Sequence, residues 1–290
     1  MSATGLVVLA AGLAACSPRL KRERGIERVI ALGRVFVAAP LATFGGLHLA
    51  AADGVSQVVP AWMPWRLFWT YLVGGALIAT ALSLISGRLV RSSSLLAGGM
   101  MLAFVAMIHL PGVAASPQDR IRWAVLFRDT GFSAGLLALG SSAGPQTSGW
   151  KRLAAACQIA FAITALFFAA EHLLHPEFAP GVPLAKMTPP WIPAPRLWGD
   201  TVGLGLLASG ALLLVNRGAR EAGAWLGAGE TFVVLLIYVP MLAPIHGTAE
   251  AVEAINYVAD TLLFAGTALI VAEASGRGER QMSTAVQRIA

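Results

Sequence analysis

The chain has 290 residues, of which 57% are hydrophobic and only 12% are charged, and its net charge is +6 with a mean hydropathy of +0.70. Soluble globular domains carry about 25% charged residues, so this composition excludes a soluble domain and indicates an integral membrane protein. The basic residues lie in short connections between apolar segments, which is the pattern of a membrane orientation signal and argues against a nucleic-acid partner.

Eight apolar segments are each long enough to cross about 30 Å of hydrocarbon as an α-helix. They are residues 30–52, 67–86, 94–113, 121–140, 152–174, 198–215, 223–242 and 254–273. The connections after the second, fourth and sixth segments carry pairs of basic residues, as do the two termini. By the positive-inside rule, these connections and both termini are cytoplasmic, and the chain is a multi-pass protein of a bacterial-type inner membrane.

The two halves of the chain repeat several short motifs. Three pairs recur in the same order: Phe44-x-x-x-His48 with Phe168-x-x-x-His172, Trp62-Met63-Pro64 with Trp191-Ile192-Pro193, and Asp129-Thr130 with Asp260-Thr261. Because each half has an even number of spans, the halves insert in the same orientation. We therefore predict an all-α integral membrane protein with eight transmembrane helices arranged as two parallel four-helix repeats.

These observations divide the chain into five parts. The predicted parts are a basic cytoplasmic N-terminal segment (1–29), a first four-helix unit (30–140), a cytoplasmic linker (141–151), a second four-helix unit (152–273) and a cytoplasmic tail (274–290).

A Pro/Trp-rich first external loop at residues 60–69, together with an Arg128-Asp129 step followed by small residues in the fourth helix, resembles the DoxX-like superfamily of four-helix membrane proteins. Two such units in tandem would cover residues 30–273. The resemblance implies a redox setting, since some members are similar to subunits of thiosulfate:quinone oxidoreductase, and it supplies no catalytic residues. The second half departs from the pattern, because Ala259 precedes Asp260 where Arg or Asn is expected.

One aspartate falls inside the predicted fourth helix of each unit. An ionisable side chain in hydrocarbon costs roughly 2.5 to 3.5 kcal/mol, so Asp129 and Asp260 need a partner or a cavity. Glu253, Asn256 and Asp260 share one helix face and form a polar stripe. We predict that these groups, with Arg128, bind a proton or a ligand in a cavity open to the outside. The alternative is that they only hold neighbouring helices together.

Three possible metal ligands converge at the outer end of the fifth span. Glu171, His172 and His175 lie within about one helical turn, and His48 is the repeat counterpart of His172. The spacing permits a metal site. The alternatives are ordinary interfacial histidines, and a haem held by His48 and His172, for which the position near the interface is unfavourable.

Four tryptophans lie in the predicted outer loops or at their ends: Trp62, Trp69, Trp191 and Trp198. They are typical of the aromatic belt at a membrane surface. The other interpretation is that they line a pocket for a flat apolar ligand such as a quinone ring.

The sequence therefore favours a redox-associated membrane subunit that binds a quinone-like or other apolar small molecule in an outward-facing polar pocket, beside a redox partner protein. A small-molecule or lipid transporter and a non-catalytic scaffold subunit are the competing hypotheses, since parallel repeats and intramembrane acids suit both.

Overall fold

A computed structural model describes residues 2–243 and 251–289, with side chains described as far as residue 276. Within these residues the chain is helical, and its only extended pairing is a single bridge between Phe178 and Met187. The long helices, in chain order, are α1 (Ala3–Arg22), α2 (Ile26–Ala50, with a turn at residues 31–32), α3 (Arg66–Ser86), α4 (Val90–Ala115), α5 (Arg120–Ser142), α6 (Ser148–Leu174), α7 (Pro195–Leu214), α8 (Ala219–Met241) and α9 (Ala251–Ile289).

The structure confirms an all-α chain in which eight helices of the described part are long and apolar enough to cross a membrane. The set of eight differs from the predicted one at two places, because it includes α1 and omits α5. Helix α5 is too polar to qualify, yet it packs against α4, α6 and α9. A helix surrounded by other helices meets little lipid, so it tolerates charged side chains that a lipid-facing helix would not.

Helix α1 occupies the region where only a basic segment was predicted. It runs antiparallel along α2, since the hydroxyl of Thr4 donates to the carbonyl of Ala42 at 2.9 Å and the thiol of Cys16 lies 3.3 Å from the carbonyl of Ala31. The helix reaches 20 residues, because it continues past the apolar residues at its start as far as Arg22.

One end of the bundle holds most of the basic residues. Arg220 forms an ion pair with Glu27, Arg19 lies 3.5 Å from Glu273, and Arg91 lies over the ring of Trp150. We call this the basic end. The opposite end, which we call the loop end, holds the connections 51–65 and 175–194. Helix α9 continues at the basic end through the predicted tail as far as Ile289.

The two halves have the same order of helix neighbours. Helix α2 packs on α3 and α4 on α5, just as α6 packs on α7 and α8 on α9. The fourth helix of each half also packs on the first helix of the other, and α5 meets α9 between the halves. Some of these contacts depend on glycine: a Cβ on Gly45 of α2 would lie 2.8 Å from the carbonyl oxygen of Gly74 on α3. This close approach is typical of membrane helix pairs.

Candidate functional site

A cavity of about 640 Å³ lies at the loop end of the first half. Helices α2, α3, α4 and α5 form most of its wall, the 51–65 loop contributes on one side and α9 on another. The polar residues that line it are His48, Thr70, His109, Arg128, Asp129, Asn256 and Asp260. The rest of the lining is mostly apolar and includes Phe44, Met101, Phe104 and Phe132. Pockets of roughly 300 to 1,000 Å³ with apolar walls and a few polar groups are the usual sites for small molecules.

Arg128 lies at the centre of a buried charge cluster in the wall of this cavity. Its Nε donates to Asp129 at 2.9 Å, and its Nη1 donates to Asp260 of the other half at 2.8 Å. The other carboxylate oxygen of Asp129 lies 2.8 Å from Nε2 of His109. Two carboxylates thus share one guanidinium, and the imidazole of His109 lies against one of them.

A widened helical turn positions His109 for this contact. Residues Val105–His109 form a π-helical turn in α4, just before Pro111. Proline has no backbone N–H and its ring clashes with the carbonyl four residues earlier, so the regular helical pattern is disturbed before it. Single π-turns of this kind are frequent at functional sites. The second half repeats the feature at Val234–Tyr238, before Pro240.

His48 presents a hydrogen-bond acceptor in the cavity. Its Nδ1 lies 2.8 Å from the carbonyl oxygen of Phe44, and a carbonyl only accepts, so Nδ1 carries the proton and donates. In the neutral ring the second nitrogen, Nε2, is then an acceptor. Nε2 makes no hydrogen bond to the part of the chain that the structure describes. This nitrogen can therefore accept a hydrogen bond from a molecule in the cavity.

The predicted metal ligands are not brought together. Among residues 2–243 and 251–276, no three His, Cys, Asp or Glu side chains are grouped so that they would hold a metal ion. The carboxylate of Glu171 instead accepts a hydrogen bond from Arg120 at 2.8 Å, and His175 lies 3.6 Å from Glu177. His172 is fully buried and both of its ring nitrogens have protein partners. His48 lies in the other half.

The 175–194 loop folds into the second half, which the sequence analysis did not anticipate. Residues 179–184, which we call the plug segment, are all buried. The N–H of Gly181 donates to Nε2 of His172 at 2.9 Å, and the hydroxyls of Tyr238 and Thr261 donate to the carbonyls of Ala179 and Val182 at 3.2 and 3.1 Å.

Arg120 holds the far end of the plug segment, and this residue too was missed. Its two terminal nitrogens each donate to the carbonyl of Leu184 at 3.0 Å, and its guanidinium lies over the ring of Phe178. Leu184 has a positive φ of 59°, a backbone conformation that costs a non-glycine residue roughly 1–2 kcal/mol. The apolar run Gly-Val-Pro-Leu, which contains no polar side chain, was the available signal for a buried segment.

The tryptophans separate into different environments. Trp69 lines the cavity and its indole N–H donates to the carbonyl of Pro64 at 3.0 Å. Trp198 packs against the apolar cluster around Tyr238 in the second half. Trp62 and Trp191 are 70% and 53% exposed. Of the four predicted pocket residues, the structure places Trp69 in the lining of this cavity.

The residues of the predicted polar stripe on α9 also lie in different environments. Asn256 and Asp260 line the cavity, and Asp260 reaches Arg128 of the first half. Glu253 points away from them, because it accepts a hydrogen bond from Tyr257 at 3.3 Å and lies 3.7 Å from the ammonium of Lys186.

Comparison of the chain with family models, with curated proteins and with solved structures finds no match in any of the three. The DoxX-like resemblance therefore stays a prediction.

Proposed function

We propose that this membrane protein binds an apolar small molecule with a polar head group. A quinone-like ring is the head group that fits the cavity best. The observation that carries the proposal is the cavity of about 640 Å³, whose apolar wall meets His48 and the cluster around Arg128. Met and Phe side chains accommodate a flat ring, while a guanidinium donates to a carbonyl oxygen. We also propose that a redox partner protein exchanges electrons with this ligand, and that the chain consists of two DoxX-like repeats.

The distribution of polar groups favours one-sided binding over transport. The polar side chains that line the cavity lie towards the loop end, and the apolar cores of both halves continue beneath them. A scaffold would require no cavity of ligand size. The experiment below separates these functions.

We infer that the basic end is cytoplasmic and that the cavity faces outward, because short basic loops stay inside. The antiparallel α1 would then place Ser2 on the outer side, which revises the expectation of two cytoplasmic termini. Single cysteines at Gln57, Gly87 and Ser2, in a chain without its native cysteines, test this with a membrane-impermeant maleimide on whole cells. We expect labelling at Gln57 and Ser2 and none at Gly87, and labelling at Gly87 alone would reverse the orientation.

Ligand binding tests the proposed function directly. A short-chain alkyl benzoquinone and its quinol are titrated into protein purified in mild detergent, and small molecules extracted from the same preparation are identified by mass spectrometry. Ala103 lines the cavity and Ala79 is exposed on α3, so Ala103→Trp fills the site and Ala79→Trp is its matched control.

We expect saturable binding that Ala103→Trp weakens at least about tenfold and that Ala79→Trp leaves unchanged. Absence of binding by either probe, with no extracted ligand, would refute the proposal in favour of a scaffold. Binding that Ala103→Trp does not affect would place the ligand elsewhere.

A further inference from the structure

In the second half, the plug segment fills the space that corresponds to the cavity of the first half. We propose that this plug segment shows how the cavity recognises its ligand: the ligand presents an O–H or N–H donor to Nε2 of His48, so the cavity prefers a reduced, quinol-type head to the oxidised quinone. The inference rests on the proposed function and adds the chemical state of the ligand.

The two histidines have the same local geometry. His172 holds its Nδ1 2.6 Å from the carbonyl oxygen of Phe168, as His48 holds its Nδ1 2.8 Å from that of Phe44. The carbonyl is four residues earlier in both cases, so both rings have the same tautomer, with the proton on Nδ1 and an acceptor at Nε2.

The next helix approaches both histidines in the same way. A Cβ placed on Gly74 would lie 2.9 Å from the Cβ of His48, and one placed on Gly203 would lie 3.0 Å from the Cβ of His172. Both glycines lie in the second helix of their half. The two rings therefore start from corresponding positions against corresponding neighbours.

The partner of Nε2 is what distinguishes the halves. In the second half, the N–H of Gly181 donates to Nε2 of His172 at 2.9 Å, and this histidine is fully buried. In the first half, the 51–65 loop is shorter and largely exposed. It does not fill the space beside His48, and the cavity lies there. The plug segment thus donates to His172 the hydrogen bond that a ligand would donate to His48.

A second contact makes the ligand both donor and acceptor. The hydroxyl of Tyr238 donates to the carbonyl of Ala179, so the plug segment also presents an acceptor. The sequence counterpart of Tyr238 is His109, which is bound to Asp129, and the donor on that side of the cavity is the guanidinium of Arg128. A hydroxyl group can donate to His48 and accept from Arg128, whereas the oxygens of an oxidised quinone only accept.

Three probes that differ only in the head group test the proposal: a short-chain alkyl benzoquinol, its quinone and the dimethyl ether of the quinol. They are titrated anaerobically into the full-length protein in mild detergent. We expect the quinol to bind on the order of tenfold more tightly than the other two, which is the worth of one hydrogen bond between neutral groups. His48→Leu should remove the preference, and His175→Leu, a change at a partly exposed histidine outside the cavity, should retain it.

The outcomes separate this inference from the proposed function. Equal binding of the three probes to the wild-type protein, lost in Ala103→Trp, would overturn the inference and leave the proposed function standing. No binding of any probe would overturn the proposed function itself. Because the comparison of probes is made on the wild-type protein, a His48→Leu variant that fails to fold does not decide the result.

Discussion

Replacement of Arg128 by methionine removes the only cation that, among the described residues, pairs with both Asp129 and Asp260. The side chains of Arg128 and Asp260 are only 19% and 7% exposed, so water compensates the carboxylates poorly. Loss of one partner from a buried ion pair costs about 3–5 kcal/mol, because the remaining charge is left without a partner. We expect Arg128→Met to lower the free energy of unfolding by about that amount, since it removes the cation that pairs with Asp260 and leaves Asp129 with His109 alone.

A surface ion pair at the start of the same helix provides the control. Arg122 and Asp119 are 44% and 42% exposed, and their Nε to Oδ2 distance is 3.1 Å. Exposed pairs contribute about 0.2–1 kcal/mol, so Arg122→Met should have a small effect. The measurement is equilibrium unfolding of both variants in mild-detergent micelles by titration with sodium dodecyl sulfate.

Neutralisation of the carboxylates should restore the stability that Arg128→Met removes. The triple variant Arg128→Met, Asp129→Asn, Asp260→Asn contains no isolated charge, and replacement of a whole buried ion cluster by neutral groups is often close to neutral. We expect the triple variant to unfold near the wild-type midpoint. Equal stability of Arg128→Met and Arg122→Met, or a triple variant less stable than Arg128→Met, would refute the account of Arg128 as the compensating charge.

Two further predictions concern packing. Gly45→Ala should destabilise the protein by about 1–3 kcal/mol, because the added methyl meets a backbone carbonyl of α3. Gly75→Ala, whose added methyl meets no atom within 4 Å, should be neutral or stabilising. Thermal unfolding in detergent compares the two variants, and equal effects would contradict the close packing of α2 on α3. Arg120→Ala should release the plug segment, because it removes both hydrogen bonds to the carbonyl of Leu184. A cysteine placed at the buried Val182 should then react with maleimide at least about tenfold faster than it does with Arg120 present. An unchanged rate would show that other contacts hold the segment.

Much of the candidate site could be predicted from individual residues. Asp129, Asp260 and Asn256 were predicted to lie beside a cavity, and all three line the cavity at the loop end. An acid in an apolar segment requires a partner or a cavity whatever the fold, which is why single residues could indicate this region. Their partners could not be predicted, since Arg128 meets Asp260 across 132 positions of sequence and His109 reaches Asp129 only through a π-helical turn of α4.

The sequence by itself determined that this protein is a bundle of membrane-crossing helices, because hydrocarbon offers no partner for backbone polar groups and only internally hydrogen-bonded segments satisfy them. It did not distinguish His48 from His172, which lie in the same Phe-x-x-x-His motif. Only the tertiary structure decided that one borders a cavity and the other is sealed by Gly181. The physical reason is that the path of a connecting loop depends on which space the packed helices leave to be filled, and local sequence periodicity contains no information about that space.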